Sequence, residues 1–404
     1  IVWLQRVERE HENFRAALGW ALEQAEVESG LRLCVAVARF WDVRGHVSEG
    51  RQWLAQALAA GRGRLTPSAS ADERGCYGGA LNWAGEFARK QGGYGTARAL
   101  FAESLTLFRE VGDKRGAANS LNSLGLVAQN QGDYGAARAL STESLMLRRE
   151  LGDQRGMAGS LNTLGLVAAN QGDYGTAQAL YAESLALYRA LGDKRGMTNS
   201  LNNLGIMAEN QGDDGTARAL HTESLALRRE LGDKLGMANS LNNLGNMAAT
   251  QGDYAAARAL YAESLTLSRE LGDKSGMATS LHNLGTMAVN QRDDGTARAL
   301  YAESLTLFRE VGNRKGIAHN LVGWASLALT RQQPQRAATL SGAVTALLAV
   351  TSARLDGVER TMHDNTIAAL RAQLDEAAFN AAWGEGHALT LEQAIEYALA
   401  EAGA

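Results

Sequence analysis

Prolines and cysteines are rare in this chain, with two of each among 404 residues. A proline inside a helix removes a hydrogen bond and clashes with the preceding turn, so its scarcity permits an almost wholly helical structure. Cys34 and Cys76 are far apart in the sequence, and their neighbours are apolar or mixed. This pattern predicts buried, reduced thiols in a cytoplasmic protein rather than a disulfide.

An excess of charge of one sign is also lacking, because 40 Lys and Arg residues face 44 Asp and Glu residues. The basic residues are dispersed, which argues against direct binding of nucleic acid or of an anionic membrane surface. No apolar run is long enough to span a bilayer, and no signal peptide opens the chain. Since the sequence begins at Ile1 directly in a helical pattern, we expect a segment of a longer, cytoplasmic protein.

The most prominent feature of the sequence is a repeat with a period of 40 residues. Copies occupy residues 74–111, 114–151, 154–191, 194–231, 234–271 and 274–311, and a decayed copy occupies 314–350. A constant period of about 20 to 50 residues is typical of a solenoid, in which each unit buries its apolar face against the next. The repeat therefore predicts both the fold and the kind of surface that the protein presents.

Each unit contains two blocks with helical spacing of apolar and small residues, which in the third copy are 154–170 and 174–191. Gly172 can end the first helix in the left-handed conformation, and Asp173 can cap the second. The same pair of residue types follows the second block. A helix of about 17 residues is about 25 Å long and cannot bury its apolar stripe alone. The unit is therefore predicted to be an antiparallel helix pair that stacks on its neighbours.

These residues resemble the tetratricopeptide repeat, over roughly residues 30–350. The signature positions of that family fall, in the third copy, on Leu161, Leu164, Gly165, Ala168, Gly172, Tyr174, Ala177 and Ser184. The unit is longer than the usual length of about 34 residues. In this respect it is similar to the repeats of kinesin light chains, of cell-polarity adaptors and of bacterial signalling ATPases. The resemblance implies an all-α, right-handed superhelical solenoid whose first helices line a concave groove.

Four regions are predicted, because the terminal units of a solenoid have one face without a neighbour and must differ from the others. They are an N-terminal helical cap with a degenerate helix pair (1–72), six regular repeats (73–312), a degenerate seventh repeat (313–350) and a C-terminal helical cap (351–404). Within the N-terminal cap, residues 2–25, with Trp3 and Leu4 among their apolar positions, are predicted to form one amphipathic helix. Residues 62–72, with Pro67 and Ser68, are predicted to form a loop.

The two ends carry a resemblance of their own. Residues 3–18, 39–46 and 378–386 resemble the sensor region of large bacterial ATP-dependent transcription regulators of the STAND and LuxR types. That resemblance implies a nucleotide-switch domain ahead of the sensor. No GxxxxGK[ST] phosphate loop occurs here, so the ATPase itself is absent from this chain.

Asparagines recur once per repeat at exposed positions of the first helix. One row holds Asn82, Asn122, Asn162, Asn202, Asn242 and His282, a second holds Lys90, Asn130, Asn170, Asn210, Thr250 and Asn290, and a third holds Asn119, Asn199 and Asn239. Between the first two rows lie Leu126, Leu166 and Ile206, giving way to Asn246 and Thr286. An amide both donates and accepts hydrogen bonds, so these rows could pair with an extended peptide backbone. The alternative is that the asparagines bond to the neighbouring helix and fix the stacking of the repeats.

Two functions fit this pattern. The first is a non-enzymatic sensor module of a signalling ATPase or transcription regulator, which binds a peptide, a partner protein or a small effector in the groove. The second is a free-standing scaffold that assembles partner proteins. No nucleophile–base arrangement, metal-ligand spacing or phosphate loop is present, so neither an enzyme nor a bound cofactor is expected.

Overall fold

The computed structural model describes residues 2–63, 69–351, 355 and 357–400, and all of the regular secondary structure in these ranges is α-helical. Much of the predicted loop at 62–72, including Pro67 and Ser68, lies outside the described residues, as do the side chains of Trp3 and Leu4. The predicted all-α architecture of repeated helix pairs is confirmed, and the hand of the superhelix stays a prediction. None of the described helices is both long and apolar enough to cross a membrane.

The helices follow one another in antiparallel pairs. The N-terminal part contains α1 (Val2–Arg9), α2 (His11–Glu23), α3 (Val27–Arg44) and α4 (Val47–Arg62). The regular pairs are α5 (Ala71–Lys90) and α6 (Tyr94–Glu110), α7 (Lys114–Asn130) and α8 (Tyr134–Glu150), α9 (Gln154–Asn170) and α10 (Tyr174–Ala190), α11 (Lys194–Asn210) and α12 (Asp214–Leu231), α13 (Lys234–Thr250) and α14 (Tyr254–Leu271), and α15 (Lys274–Asn290) and α16 (Asp294–Glu310). The last part contains α17 (Arg314–Thr330), α18 (Pro334–Thr351), α19 (Gly357–Gln373), α20 (Glu376–Ala388) and α21 (Leu391–Leu399).

The chain divides into two compact units, Ile1–Met207 and Ala208–Ala404, with the boundary inside α11. The N-terminal core of unit 1 is built around large buried side chains such as Phe40, Trp41 and Phe87. The core of unit 2 is centred on Tyr301, Leu321 and the helices that follow them. Both cysteines are free thiols, and burial together with the neighbouring Cys76 raises the pKa of the Cys34 thiol to about 12.

Aspartate and glycine set the helix boundaries as the sequence predicts. Asp173 Oδ1 accepts a hydrogen bond from the backbone N–H of Thr176 at 3.1 Å. The side chain and backbone of Thr176 also lower the pKa of the Asp173 carboxyl by stabilising its charged form. Gly172 has φ of +80°, a left-handed conformation that glycine adopts without strain. The boundary between α9 and α10 is therefore set by residues at the boundary itself.

Small residues let the two helices of a pair approach closely, as predicted for Gly165, Ala177 and Ser184. A Cβ at Gly165 would lie 2.7 Å from the ring of Tyr181, which is well inside van der Waals contact. Ala177 and Ser184 are completely buried in the same interface. The aromatic ring thus fills the space that the glycine leaves open.

The predicted single helix at 2–25 is wrong, because the structure contains two helices that are interrupted at Glu10. Glu10 has φ of −95° and ψ of 9°, outside the helical region. The bend brings the ring of His11 to 5.0 Å from that of Phe40 and its Nε2 atom to 3.1 Å from Glu49. These tertiary contacts override the helical periodicity of the segment.

Arg292 takes the place of a helix-ending glycine and still adopts the left-handed conformation, with φ of 59°. This conformation costs a residue with a Cβ about 1 kcal/mol. We therefore expect Arg292→Gly to raise the free energy of unfolding by about 1 kcal/mol, measured by urea denaturation. Arg292→Ala keeps the Cβ and is the control, with little change expected. Equal stabilisation by both variants would assign the effect to the charge and contradict this explanation.

Candidate ligand-binding surface

In unit 1, the first helices α7, α9 and α11 each place one half-buried aliphatic side chain at the same position of the repeat. These side chains are Leu126, Leu166 and Ile206. The helical segments around them, 116–130, 156–170 and 196–207, contain no charged residue. We call these three segments the first-helix strip of unit 1. The strip is a neutral surface with apolar spots at a regular interval.

The first row of asparagines reaches across to the next repeat. Asn82 Nδ2 donates a hydrogen bond to Ser120 Oγ at 2.8 Å, and Asn162 Nδ2 donates to Ser200 Oγ at 3.0 Å. In unit 2, Asn242 Nδ2 lies 3.3 Å from Ser280 Oγ. These contacts have the geometry that the alternative interpretation, stacking of the repeats, requires.

The serine in each of these contacts belongs to a buried chain of hydroxyl groups that sequence reasoning missed. Ser184 Oγ donates its only proton to the carbonyl oxygen of Ala158 at 2.8 Å. Since Ser184 can then only accept, Ser200 donates to it at 3.1 Å, and Ser200 in turn accepts from the Asn162 amide. In this order one of the two amide protons of Asn162 is used, and its Oδ1 atom lies 3.1 Å from the same Ser200 hydroxyl.

The other asparagine rows lie at the surface. Asn130, Asn170, Asn210 and Asn290 of the second row and Asn119, Asn199 and Asn239 of the third row are all exposed. Asn170 Nδ2 caps its own helix through the Leu166 carbonyl oxygen at 2.9 Å, and Asn119 Oδ1 accepts from Arg148 Nη2 at 2.9 Å. The side chains of Asn130 and Asn199 form no hydrogen bond with another described residue. These two side chains are therefore available to a ligand.

The remaining members of the rows differ in their surroundings. Asn122 and Asn202 are half-buried, and the buried Oδ1 of Asn122 has no hydrogen-bond partner among the described residues. In unit 2, Asn246 Oδ1 accepts from the Tyr261 hydroxyl at 2.8 Å. His282 is only 4% exposed, and its Nε2 lies 3.6 Å from Glu359 Oε1 in α19. The His282 position is thus covered by the chain itself.

Two opposing influences act on the charge of the Glu359 carboxylate, namely burial and the neighbouring histidines. Burial alone would raise the pKa of the Glu359 carboxyl, but the hydrogen bond and charge of His282, together with the charge of His319, lower it below the usual value. No group of three or more His, Cys, Asp or Glu side chains in the described part of the chain could hold a metal ion.

A cleft of about 530 Å³ lies elsewhere in unit 1. Arg32, Asp72, Gly75, Val111 and Asp113 line it, and none of the predicted site residues does. Its lining contains charged residues of both signs and no residue of the three asparagine rows. The predicted ligand-binding surface and this cleft are separate features.

The amide–serine contact can be tested by a double-mutant cycle on Asn162→Ala and Ser200→Ala. We expect each variant to destabilise the protein and the coupling between them to be about 1 kcal/mol, because one partly buried hydrogen bond joins the two side chains. Urea denaturation measures both quantities. Asn170→Ala, at an exposed position of the same helix, is the control and should show no coupling with Ser200→Ala. A coupling near zero for the first pair would remove the stacking role.

Comparison with known proteins gives the class of the chain. Residues 78–150, 156–230 and 236–310 match the family model of the tetratricopeptide repeat, and together they cover more than half of the sequence. The chain therefore belongs to the tetratricopeptide repeat family, as its signature residues predicted. A comparison with curated proteins finds no match.

Three solved structures have the same fold. The apo form of the quorum sensor NprR from B. thuringiensis is 14% identical over 85% of this chain and 94% of that chain, with a TM-score of 0.57. A Rap protein complexed with competence and sporulation factor is 11% identical over 89% of this chain and 99% of that chain, with a TM-score of 0.56. A STAND protein with a tetratricopeptide repeat sensor from Pyrococcus horikoshii is 12% identical over 83% of this chain and 52% of that chain, with a TM-score of 0.55. At these identities the likeness shows the fold alone.

Proposed function

We propose that the first-helix strip of unit 1 binds an extended, uncharged peptide segment, and that the chain acts as a non-catalytic sensor module. The observation that carries this proposal is the neutral strip itself, with one aliphatic side chain per repeat between rows of amides. A charged ligand segment would lose its hydration there without gaining a counter-charge. A neutral segment would gain apolar contacts with Leu126, Leu166 and Ile206.

The amides supply the polar half of the proposed contact. Asn162 uses one amide proton and one side of its Oδ1 atom in its contact with Ser200, so its second amide proton and the second Oδ1 lone pair remain for a ligand. Asn130 and Asn199 are exposed and offer both a donor and an acceptor. Backbone groups of an extended peptide need both kinds of partner, whatever side chains the peptide carries. The rows therefore favour recognition of the backbone, with selectivity left to the aliphatic positions.

Selection from a random peptide library displayed on phage, with the full chain as the target, tests this function. We expect the selected peptides to be uncharged and to carry an aliphatic or aromatic side chain. For the best of them, Leu166→Asp should weaken binding by at least about tenfold in fluorescence anisotropy, because an ionised carboxylate replaces an apolar contact. Leu191→Asp is the matched control, since Leu191 is 40% exposed outside the strip. Selection of charged peptides, or equal losses in both variants, would overturn the proposal.

The regulators of the same fold support the wider context of this function. One is a quorum sensor, one is held in complex with a factor, and one is a STAND protein with a sensor of this kind. We propose that ligand binding biases a nucleotide-switch domain in the complete protein, in the cytoplasm. A coding sequence without such a domain ahead of Ile1 would favour the free-standing scaffold instead.

A further inference from the structure

Helix α19 lies on first helices of unit 2. It packs against α17 and α18, and its Glu359 reaches His282 of α15 at 3.6 Å. Both α15 and α17 are the first helices of their pairs. The position of His282 is occupied in α17 by Val322, which is completely buried. α19 therefore covers in unit 2 the kind of surface that is half-exposed in the first-helix strip of unit 1.

The face that α19 turns inward is unusually polar for a core helix. Met362, His363, Thr366 and Leu370 follow Glu359 at helical spacing, and His363, Thr366 and Leu370 are buried. Three members of this stripe of five are polar or ionisable. A helix that belongs permanently to a core normally presents an apolar stripe. The composition is closer to that of a segment that also exists away from the core.

Several polar atoms in this region are buried without a hydrogen-bond partner among the residues that the structure describes. They are Nδ1 of His282, Nε2 of His363, Nε1 of Trp324 and both side-chain amide atoms of Asn320. Asn320 stands where the regular repeats carry the buried serine, and the equivalent Ser200 hydroxyl is bonded to Ser184 and Asn162. Each such atom gives up water without gaining a partner, which weakens the packed arrangement. The surface beneath α19 thus contains buried polar atoms whose hydrogen-bonding capacity is not filled by the described residues.

The following helix is anchored independently. α20 packs on α18 with its Gly386 so close that a Cβ there would lie 1.8 Å from the Thr339 carbonyl oxygen. α20 has few contacts with α19. Loss of α19 from its place would therefore leave the attachment of α20 to α18 intact.

We infer that α19 is a displaceable intramolecular occupant of the first-helix surface of unit 2, and that a partner helix with the same inward pattern takes its place. The pattern is a carboxylate that pairs with His282, followed one and three turns later by Met362-like and Leu370-like apolar side chains. Charge complementarity with His282 and His319 selects an acidic residue at the first position. This inference concerns unit 2 and does not depend on the ligand of unit 1.

Hydrogen–deuterium exchange on the full chain gives the first test. We expect the amides of residues 357–373 to exchange at least about tenfold faster than those of α17, because a displaceable helix opens without unfolding the unit. Glu359→Gln should increase that exchange further, since it removes the charge paired with His282. Asp364→Asn removes the same charge from the exposed face of the same helix and is the matched control. Equal exchange rates of the amides of α19 and α17, or an equal change in the exchange rate of α19 in the two variants, would overturn the inference.

A labelled synthetic peptide with the sequence of residues 357–373 gives the second test. It should bind the Glu359→Gln chain about tenfold more tightly than the unaltered chain, because the fraction of chains with the surface open is larger. A scrambled peptide of the same composition should bind neither. Equal binding of the peptide to both chains, or binding of the scrambled peptide, would show that the surface beneath α19 is not a docking site.

Discussion

Gly386→Ala is expected to lower the free energy of unfolding of unit 2 by about 3 kcal/mol. The added Cβ would lie 1.8 Å from the carbonyl oxygen of Thr339 and 2.6 Å from its carbonyl carbon. These atoms belong to the backbone of α18 and cannot rotate aside as a side chain would. The reciprocal contact is also too close for a side chain, because a Cβ at Gly342 would lie 2.3 Å from the Trp383 carbonyl oxygen. α20 would have to separate from α18 and expose the apolar side chains between them.

Gly384→Ala is the control for this substitution. It lies two residues away in the same helix, and a Cβ there would meet nothing within 4 Å. Alanine is the better helix former by about 1 kcal/mol, so this variant should be slightly more stable. Urea denaturation of both variants measures the difference. If the two alanines have the same effect, the backbone contact between α18 and α20 does not hold the C-terminal helices in place.

Arg228→Phe is expected to stabilise unit 2 by about 2 kcal/mol. Arg228 is only 6% exposed, its Nη1 atom donates a hydrogen bond to the Gly236 carbonyl oxygen, and its Nε atom has no partner within the described part of the chain. Burial lowers the pKa of the Arg228 guanidinium despite the opposing charge of Asp233, so the folded protein bears a cost for keeping it charged. The equivalent residue of a later repeat is Phe308, whose ring packs over Gly316. Gly236 leaves the same space beside Arg228, so a ring fits there.

Arg229→Phe is the control, because it removes an arginine from an exposed position and so shows the change in stability that does not depend on burial. The Arg229 side chain is 53% exposed and pairs with Glu263 at 3.0 Å. Exposed pairs of this kind contribute about 0 to 1 kcal/mol, so this substitution should leave the stability unchanged or slightly lower. Thermal and urea denaturation give both values. Destabilisation by Arg228→Phe would mean that its hydrogen bond to the Gly236 carbonyl oxygen outweighs the cost of burying the charge.

The helix boundaries could be predicted because their causes are local. Gly172 and Asp173 act within a few residues of themselves, and the structure shows the left-handed turn and the capping bond that they predict. The close approach at Gly165 was equally accessible, since it depends on helices that are adjacent in the sequence. The helix interruption at Glu10 could not be predicted, because it depends on contacts of His11 with residues far along the chain.

The role of the first asparagine row could be predicted only in part. The partner of Asn162 is Ser200, 38 residues later. A signal was present, because a serine recurs two residues before Asn122, Asn162, Asn202 and Asn242. The asparagine and its partner serine also change together: where the row has His282, the residue 38 positions later is Asn320 and not a serine. The packing of α19 on the first helices of unit 2 had no such signal in the sequence. α19 follows the last repeat and has no equivalent in the other repeats that would indicate where it packs.

The chain of hydroxyl groups has a consequence for how this protein changes over generations. Each link joins residues at a fixed offset, so excision of residues 154–193 would bring Ser200 to the place of Ser160, against Ser144. The new joint would contain the same groups as the old one. Loss or gain of a whole unit therefore preserves these hydroxyl contacts, and each unit in unit 1 adds or removes one aliphatic position of the neutral strip.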